Sequence, residues 1–249
     1  MGVQLTLEGK PIQISRREKF TVVFEAETVK HPRYPEYEEK LLYYDGKPIP
    51  YKAIVYKGKL VAIVSRQYKL VPHEEVIEAV KKKAGDKINE IMRNTRRLYI
   101  WLDYGEFIVL IRNAIDGSLS LRADSVFKID GIPSYFGNVL YRKHVGTVEN
   151  WVREQLPEIV KETEKTHKKF KMWLTQLKTI PVKREHIEAL RNVLPQKYIR
   201  GAILQESLRD VYTMVLRRIW STRDCSIERK IELNKMLNNL MFLWVEFKK

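Results

Sequence analysis

The sequence contains a single cysteine, Cys225, and no apolar run long enough to cross a membrane. One cysteine cannot form an internal disulfide, and it excludes a cysteine-rich zinc site. A membrane-spanning helix needs about 18 consecutive apolar residues, so we expect no such helix and no membrane partner. The segment MGVQLTLEGKPIQISRREKF at the N-terminus lacks the basic-then-apolar order of a signal peptide. We therefore expect a cytoplasmic protein in a reducing environment.

Motifs of several common enzyme classes are also missing. Neither GxxxxGK[ST] nor GxGxxG occurs, so we expect no phosphate-binding loop for ATP or a dinucleotide. The histidines show no HxH or HExxH spacing, and no GxSxG elbow marks a nucleophilic serine. These absences predict a protein without catalytic residues, metal ligands or a cofactor.

Positive charge, by contrast, is abundant. The chain of 249 residues has 46 Lys and Arg against 31 Asp and Glu, a formal net charge of +15. A surplus of this size favours a polyanionic partner, with nucleic acid first and an anionic membrane surface second. A surface rich in Lys–Glu ion pairs is also typical of thermophilic proteins, but that explains the total charge better than the net charge. Nucleic acid is the predicted partner, and DNA is preferred over RNA.

Hydrophobic periodicity divides the chain near residue 147. Before this point, short alternating segments such as KLVAIVS, RRLYIWLDY and EFIVLIRNAI predict strands, and Lys57-Gly58 predicts a hairpin turn. One helix is expected after Pro72, ending before Gly85. We expect residues 1–147 to form a curved antiparallel sheet with one packed helix, and residues 148–249 to form a mostly helical region on this core. The predicted fold class is α+β.

Two features of the helical region leave alternatives open. Thr147 is expected to cap its first helix, and Pro157 either kinks this helix or starts the next one. The last helix, at about residues 226–248, carries an apolar stripe that includes Trp244. This stripe either mediates self-association into a homo-oligomer or packs on the protein's own sheet.

Basic residues recur beside aromatic ones in SRQYK (65–69), RRLYIWLDY (96–104) and YRK (141–143). Basic side chains in such segments can neutralise phosphates while a neighbouring ring stacks on a base. Trp101 is expected in the core, because large aromatic side chains are mostly buried. The candidate phosphate contacts are Arg66, Lys69, Arg96, Arg97, Arg112, Arg122, Arg142 and Lys143. The candidate stacking residues are Tyr68, Tyr99 and Tyr141.

The segment RNAIDGSLSLRADSVF (112–127) gathers many polar groups. Asp116-Gly117 is expected at the tip of a hairpin. Strand alternation then places polar side chains on one face, namely those of Ser118, Ser120, Arg122 and Asp124. We expect this face to be exposed, to be made basic by Arg122 opposite Arg112, and to contact DNA.

Two other functions remain open. A Mg²⁺-dependent nuclease needs clustered carboxylates, for which the candidates are Asp103 and Glu106 together with either Asp116 or Asp124. The lysine that nuclease folds place two residues after the second carboxylate is replaced by Ile108, so turn carboxylates in solvent are favoured. The other alternative is a host-interaction or regulatory protein whose basic surface binds an acidic protein.

Several segments resemble a known family. A V-S-x-x-Y-x-x-V-x-N/H-x-E pattern is matched by Val64, Ser65, Tyr68, Val71, His73 and Glu75. An N-x-x-D-G-S pattern is matched by Asn113, Asp116, Gly117 and Ser118, and part of a later R-x-x-H-x-G pattern by His144 and Gly146. Over about residues 40–180 the chain is similar to the phage/plasmid-like proteins with domain of unknown function 932. The family's Cys-x-Asn-Gly step is replaced here by IDGIPSYFGN. The resemblance implies a viral, plasmid or archaeal mobile element and no established activity.

The predicted topology also resembles that of the Rad52-like single-strand annealing proteins, in which a curved sheet backs a helix. This resemblance implies annealing or recombination of DNA without chemistry by the protein itself. The leading hypothesis is therefore a DNA-binding, Rad52-like annealing or recombination protein of a mobile element.

Overall fold

The computed structural model describes residues 2–7, 10–13, 19–21, 25–119, 121–140 and 147–246, with side chains for 26–119, 121–136 and 147–246. Its N-terminal strands form a three-stranded sheet in the order β2-β1-β3. The strands are β1 (Gly2–Leu7), β2 (Lys10–Gln13) and β3 (Lys19–Thr21). The pair β1–β2 is antiparallel and the pair β1–β3 is parallel.

A four-stranded antiparallel sheet follows in the order β4-β5-β6-β7. Its strands are β4 (Glu25–Lys30), β5 (Tyr37–Tyr44), β6 (Lys47–Tyr56) and β7 (Lys59–Ser65). Lys57 and Gly58 join β6 to β7 with φ angles of 49° and 72°. Two consecutive positive φ angles are typical of the type I′ turn that matches strand twist. The predicted hairpin at this dipeptide is confirmed.

Helix α1 (His73–Ala84) leads from this sheet to a second antiparallel sheet. The order in the second sheet is β12-β11-β10-β9-β8. Its strands are β8 (Ile88–Arg93), β9 (Arg97–Asp103), β10 (Phe107–Ala114), β11 (Arg122–Ile129) and β12 (Ile132–Leu140). The single curved sheet of the prediction is thus divided into separate sheets, and α1 separates the two largest, which are both antiparallel.

The C-terminal part is helical, as predicted, and the fold is α+β. Its helices are α2 (Val148–Lys178), α3 (Arg184–Val193), α4 (Gln196–Ile199), α5 (Leu208–Ser221) and α6 (Ile227–Glu246). The Thr147 hydroxyl accepts a hydrogen bond from the Asn150 N–H and caps α2. Pro157 lies inside α2, which continues through it as one helix. None of the helices in the described ranges is long and apolar enough to cross a membrane.

Both faces of the five-stranded sheet are covered by other elements. One face contributes side chains such as Ile100, Val109 and Phe127 to the main core, together with α1, α2 and α5. The opposite face, here called the α6 face, packs against the end of α5 and the start of α6. Its apolar members are Tyr99, Trp101, Ile108, Leu110, Val126 and Tyr135. Because both faces are covered, every residue of β10 is buried.

Helix α6 also covers part of the edge strand β12. The Tyr135 N–H donates a hydrogen bond to Asn234 Oδ1 at 2.6 Å, and Asn238 Nδ2 donates to the Tyr135 carbonyl at 2.7 Å. The Tyr212 hydroxyl donates to Asn238 Oδ1 at 2.7 Å. Leu237 is fully buried in the same core. The apolar stripe of α6 therefore packs on the protein's own sheet, which is one of the two predicted alternatives.

Candidate nucleic-acid interface

The two large sheets meet at a junction formed by residues 64–73 and 113–117. The Tyr68 hydroxyl donates a hydrogen bond to the Ala114 carbonyl at 2.9 Å, and burial raises the pKa of Tyr68 to about 12. Asn113 Nδ2 donates to the Val71 carbonyl at 2.9 Å. These bonds fix the loop after β7 against the end of β10.

His73 and Gly117 complete the junction. His73 Nδ1 lies 3.2 Å from Asn113 Nδ2, and burial lowers the pKa of His73 to about 4. Gly117 has a φ of 73°, and a Cβ added there would lie 3.0 Å from Val64 Cγ1. Most residues that carry the family resemblance therefore meet at the junction, where they hold two sheets together.

Three of the predicted phosphate contacts are exposed around the junction. Arg66 and Lys69 lie on the loop that carries Tyr68, and Arg96 is held close because its carbonyl accepts a hydrogen bond from the Ile115 N–H. The Arg66 guanidinium lies 5.9 Å from the Tyr43 ring centroid. These three side chains are available to a polyanion.

Arg97 and Tyr68 are partly buried, and both side chains form hydrogen bonds within the protein. The Arg97 guanidinium pairs with Glu228 at 2.7 Å and donates to the Ser118 hydroxyl at 3.1 Å. Tyr68 directs its hydroxyl to Ala114, so it is a support of the junction rather than an outward stacking ring. Ser118 lies on the loop before β11, because that strand begins at Arg122.

The predicted exposed face of β11 is in fact buried. Arg112 Nε donates to Asp124 Oδ2 at 2.6 Å, Arg112 Nη2 donates to the Tyr135 hydroxyl at 2.9 Å, and that hydroxyl donates to Asp124 Oδ1 at 2.7 Å. The predicted roles of Arg112 in phosphate contact and of Tyr99 in stacking are wrong for this structure. Both are at most 5% exposed, because the start of α6 covers this face. Trp101 is buried beside Trp220, as predicted.

Arg122 and Lys235 complete a group that we call the cation cluster, together with Arg112, Asp124 and Tyr135. Arg122 lies opposite Arg112 in the strand register, as predicted, but its Nε is 3.7 Å from Asp124 Oδ2. That nitrogen is buried and has no hydrogen-bond partner among the described residues. Lys235 Nζ lies 5.0 Å from the Tyr135 ring centroid. The cluster therefore places three cations around one carboxylate.

The excess of cations over carboxylates in the cluster affects the pKa values of its members. Burial lowers the pKa of Lys235, and the neighbouring charges of Arg112 and Arg122 lower it further. Burial and the nearby Asp124 carboxylate raise the pKa of the Tyr135 hydroxyl, which stays protonated and donates to that carboxylate. The sequence prediction missed Lys235, because it lies on a distant helix and no local pattern links it to β11.

The remaining predicted contacts, Tyr141, Arg142 and Lys143, lie outside the described residues, as do Ser120, His144 and Gly146.

The carboxylates of the nuclease alternative do not converge. Asp103 is paired with Lys128 at 2.6 Å, and Glu106 with Lys171 at 2.7 Å. Each lysine lowers the pKa of its partner. Asp124 is buried against Arg112 on strand β11. Strand β10 separates it from Asp103, which lies on β9. Among the side chains that the structure describes, no group of three or more His, Cys, Asp or Glu could hold a metal ion.

Comparison of the chain with known protein families and with curated proteins found no match to either. The fold and the exposed cations by themselves define an α+β protein with a basic surface beside a sheet junction. The resemblance to the phage/plasmid-like family stays a prediction.

Proposed function

We propose that this protein binds nucleic acid through the cations that surround the sheet junction. The observation that carries the proposal is the exposure of Arg66, Lys69 and Arg96 at one junction in a chain of net charge +15. Exposed cations of this kind bind phosphates and release the counterions of the nucleic acid, which favours association.

A more specific form of the proposal is a DNA-binding annealing or recombination protein of a mobile element. It rests on the resemblance of the junction motifs to phage/plasmid-like proteins and on the expected similarity to Rad52-like annealing proteins. DNA is preferred over RNA, and an intracellular location is part of the proposal. In this form the protein holds strands by their phosphates and carries out no bond-breaking step.

The binding proposal is tested with labelled single-stranded DNA, duplex DNA and single-stranded RNA across a salt series. Fluorescence anisotropy should show binding at low salt that weakens linearly on a logarithmic plot. Each phosphate contact contributes about 0.7 to the slope for a single strand. A variant with Arg66→Gln, Lys69→Gln and Arg96→Gln should therefore lose about 2 from the slope.

A matched control removes the same charge elsewhere. Lys183→Gln, Arg184→Gln and Lys197→Gln change exposed residues near α3 and α4, outside the junction. This control should keep the slope close to that of the wild type. Absence of binding at low salt, or an equal loss of slope in both triple variants, would contradict the proposed interface.

The annealing step is tested separately with two complementary strands that carry a fluorescence donor and acceptor. The wild type should accelerate their pairing without any nucleotide or metal ion, and the junction variant should not. Binding without acceleration would leave the protein a DNA-binding protein and would refute the annealing role.

A further inference from the structure

The cation cluster has a surplus of positive charge that the described residues do not compensate. Asp124 accepts hydrogen bonds on both of its oxygens, from Arg112 on one and from Tyr135 on the other. Its charge is therefore matched by Arg112. Arg122 and Lys235 remain, and among the described residues neither has a carboxylate within hydrogen-bonding distance.

The donors of Arg122 and Lys235, which have no carboxylate partner among the described residues, indicate a ligand with several oxygen atoms. The buried Nε of Arg122 has no acceptor, and a buried donor without a partner is costly in a folded protein. The Lys235 ammonium lies beside the Tyr135 ring and is repelled by both guanidinium groups. An anion placed between Arg122 and Lys235 would offset the repulsion between them, because it would attract both positive charges.

We propose that the cation cluster binds a phosphate monoester, and that its ligand is the terminal phosphate of a nucleic-acid strand. Arg122 and Lys235 supply the contacting charges, while hydrogen bonds among Arg112, Asp124 and Tyr135 fix the arrangement of the cluster. The choice of a nucleic-acid end rests on the proposed function.

Charge matching selects a monoester over an internal phosphodiester. Three cations and one carboxylate leave two positive charges in the cluster. A phosphate monoester carries about −1.5 to −2 charges near neutral pH, whereas each internal diester carries one. The terminal phosphate therefore neutralises the surplus almost completely, and the internal diesters suit the exposed cations of the junction.

The test compares oligonucleotides of one sequence that differ only in a terminal phosphate. One pair carries a 5′-phosphate or a 5′-hydroxyl, with the fluorophore at the 3′ end, and a second pair reverses the two ends. We expect the wild type to bind one phosphorylated strand about tenfold more tightly than its hydroxyl partner, the effect of one charge-assisted hydrogen bond. Lys235→Gln and Arg122→Gln should abolish this preference and leave the affinity for the hydroxyl strand nearly unchanged.

Two further variants separate geometry from charge. Arg122→Lys keeps the positive charge but replaces the planar, forked guanidinium by a single ammonium, so it should also reduce the preference. Lys197→Gln removes one exposed charge far from the cluster and should retain the full preference. Lys235 is half-buried on the surface of a helix, so its variant is expected to fold; circular dichroism checks the Arg122 variants.

The outcomes distinguish this inference from the proposed function. Equal affinity of the wild type for phosphorylated and hydroxyl strands overturns the phosphate site and leaves nucleic-acid binding intact. If no oligonucleotide binds, the proposed function fails, and inorganic phosphate at constant ionic strength then decides the site. A rise in Tm with phosphate that Lys235→Gln removes would support the site, and no rise would overturn it.

Discussion

Acid should loosen the sheet junction, because His73 is held there without its proton. Its side chain is only 3% exposed, and burial is the main reason why its pKa lies at about 4. The charge of Arg93 acts in the same direction, while Glu74 and Asp116 oppose it. In the unfolded chain the pKa returns to about 6.5. At pH values between these two pKa values, the His73 side chain is protonated in the unfolded state and neutral in the folded state.

The size of the effect follows from the two pKa values. Stability contributed by the neutral imidazole is complete above pH 6.5 and is lost as the pH falls toward 4. A shift of this size corresponds to about 3 kcal/mol in the limit, since one pKa unit is about 1.4 kcal/mol. At pH 5 about 2 kcal/mol should already be lost relative to pH 7.5.

The assay is urea unfolding of the wild type and of His73→Asn at pH 7.5 and pH 5. Burial also lowers the pKa of His167 and His186, so both proteins should lose stability in acid. The wild type should lose about 2 kcal/mol more than the variant, because only the wild type has a histidine at position 73. An equal acid loss in the two proteins would refute the argument. An NMR titration that shows the His73 ring protonating above pH 6 would refute it directly.

Three other substitutions test the junction, the edge strand and the cation cluster. Gly117→Ala should cost at least about 2 kcal/mol in chemical unfolding, whereas Gly58→Ala should cost about 1 kcal/mol, because only the first combines a positive φ with a close contact. Asn238→Ala removes three buried hydrogen bonds and should cost about 2–4 kcal/mol, while the exposed neighbour Asn239→Ala should change stability by less than about 0.5 kcal/mol. In phosphate-free buffer, Lys235→Met should raise the Tm by relieving repulsion, an effect of up to about 1 kcal/mol after solvent screening. Its advantage over the wild type should shrink as rising pH deprotonates Lys235; a Tm below that of the wild type at neutral pH would refute this explanation.

Local signals in the sequence predicted most of the secondary structure. Lys57-Gly58 specifies its hairpin because the turn depends only on the two residues and the adjoining strands. Strand β8 was not predicted as a strand. Its residues Ile88–Arg93 form an edge whose side chains are mostly exposed, so they lack the apolar alternation that marks a strand.

The candidate site was harder to predict, because its burial depends on contacts between distant segments. Polar residues alternate with apolar ones along β11, and that pattern favours an exposed face. Helix α6 overrides it by placing Lys235 beside Arg122 and by covering Arg112 and Asp124. Tertiary packing of this kind leaves no trace in the periodicity of the strand itself.

The hydrogen bonds from Asn234 and Asn238 to the backbone of Tyr135 restrict how copies of this protein can join. An edge strand normally offers its free N–H and C=O groups to another strand. At Tyr135 both groups are occupied by side chains of the same molecule, so a second copy cannot extend the five-stranded sheet there. Strand β8 closes the opposite edge with exposed residues and has no strand beyond it in the described sheet. Among the described residues, pairing with a second molecule is therefore blocked at Tyr135 on the β12 edge, whereas β8 presents its edge to solvent.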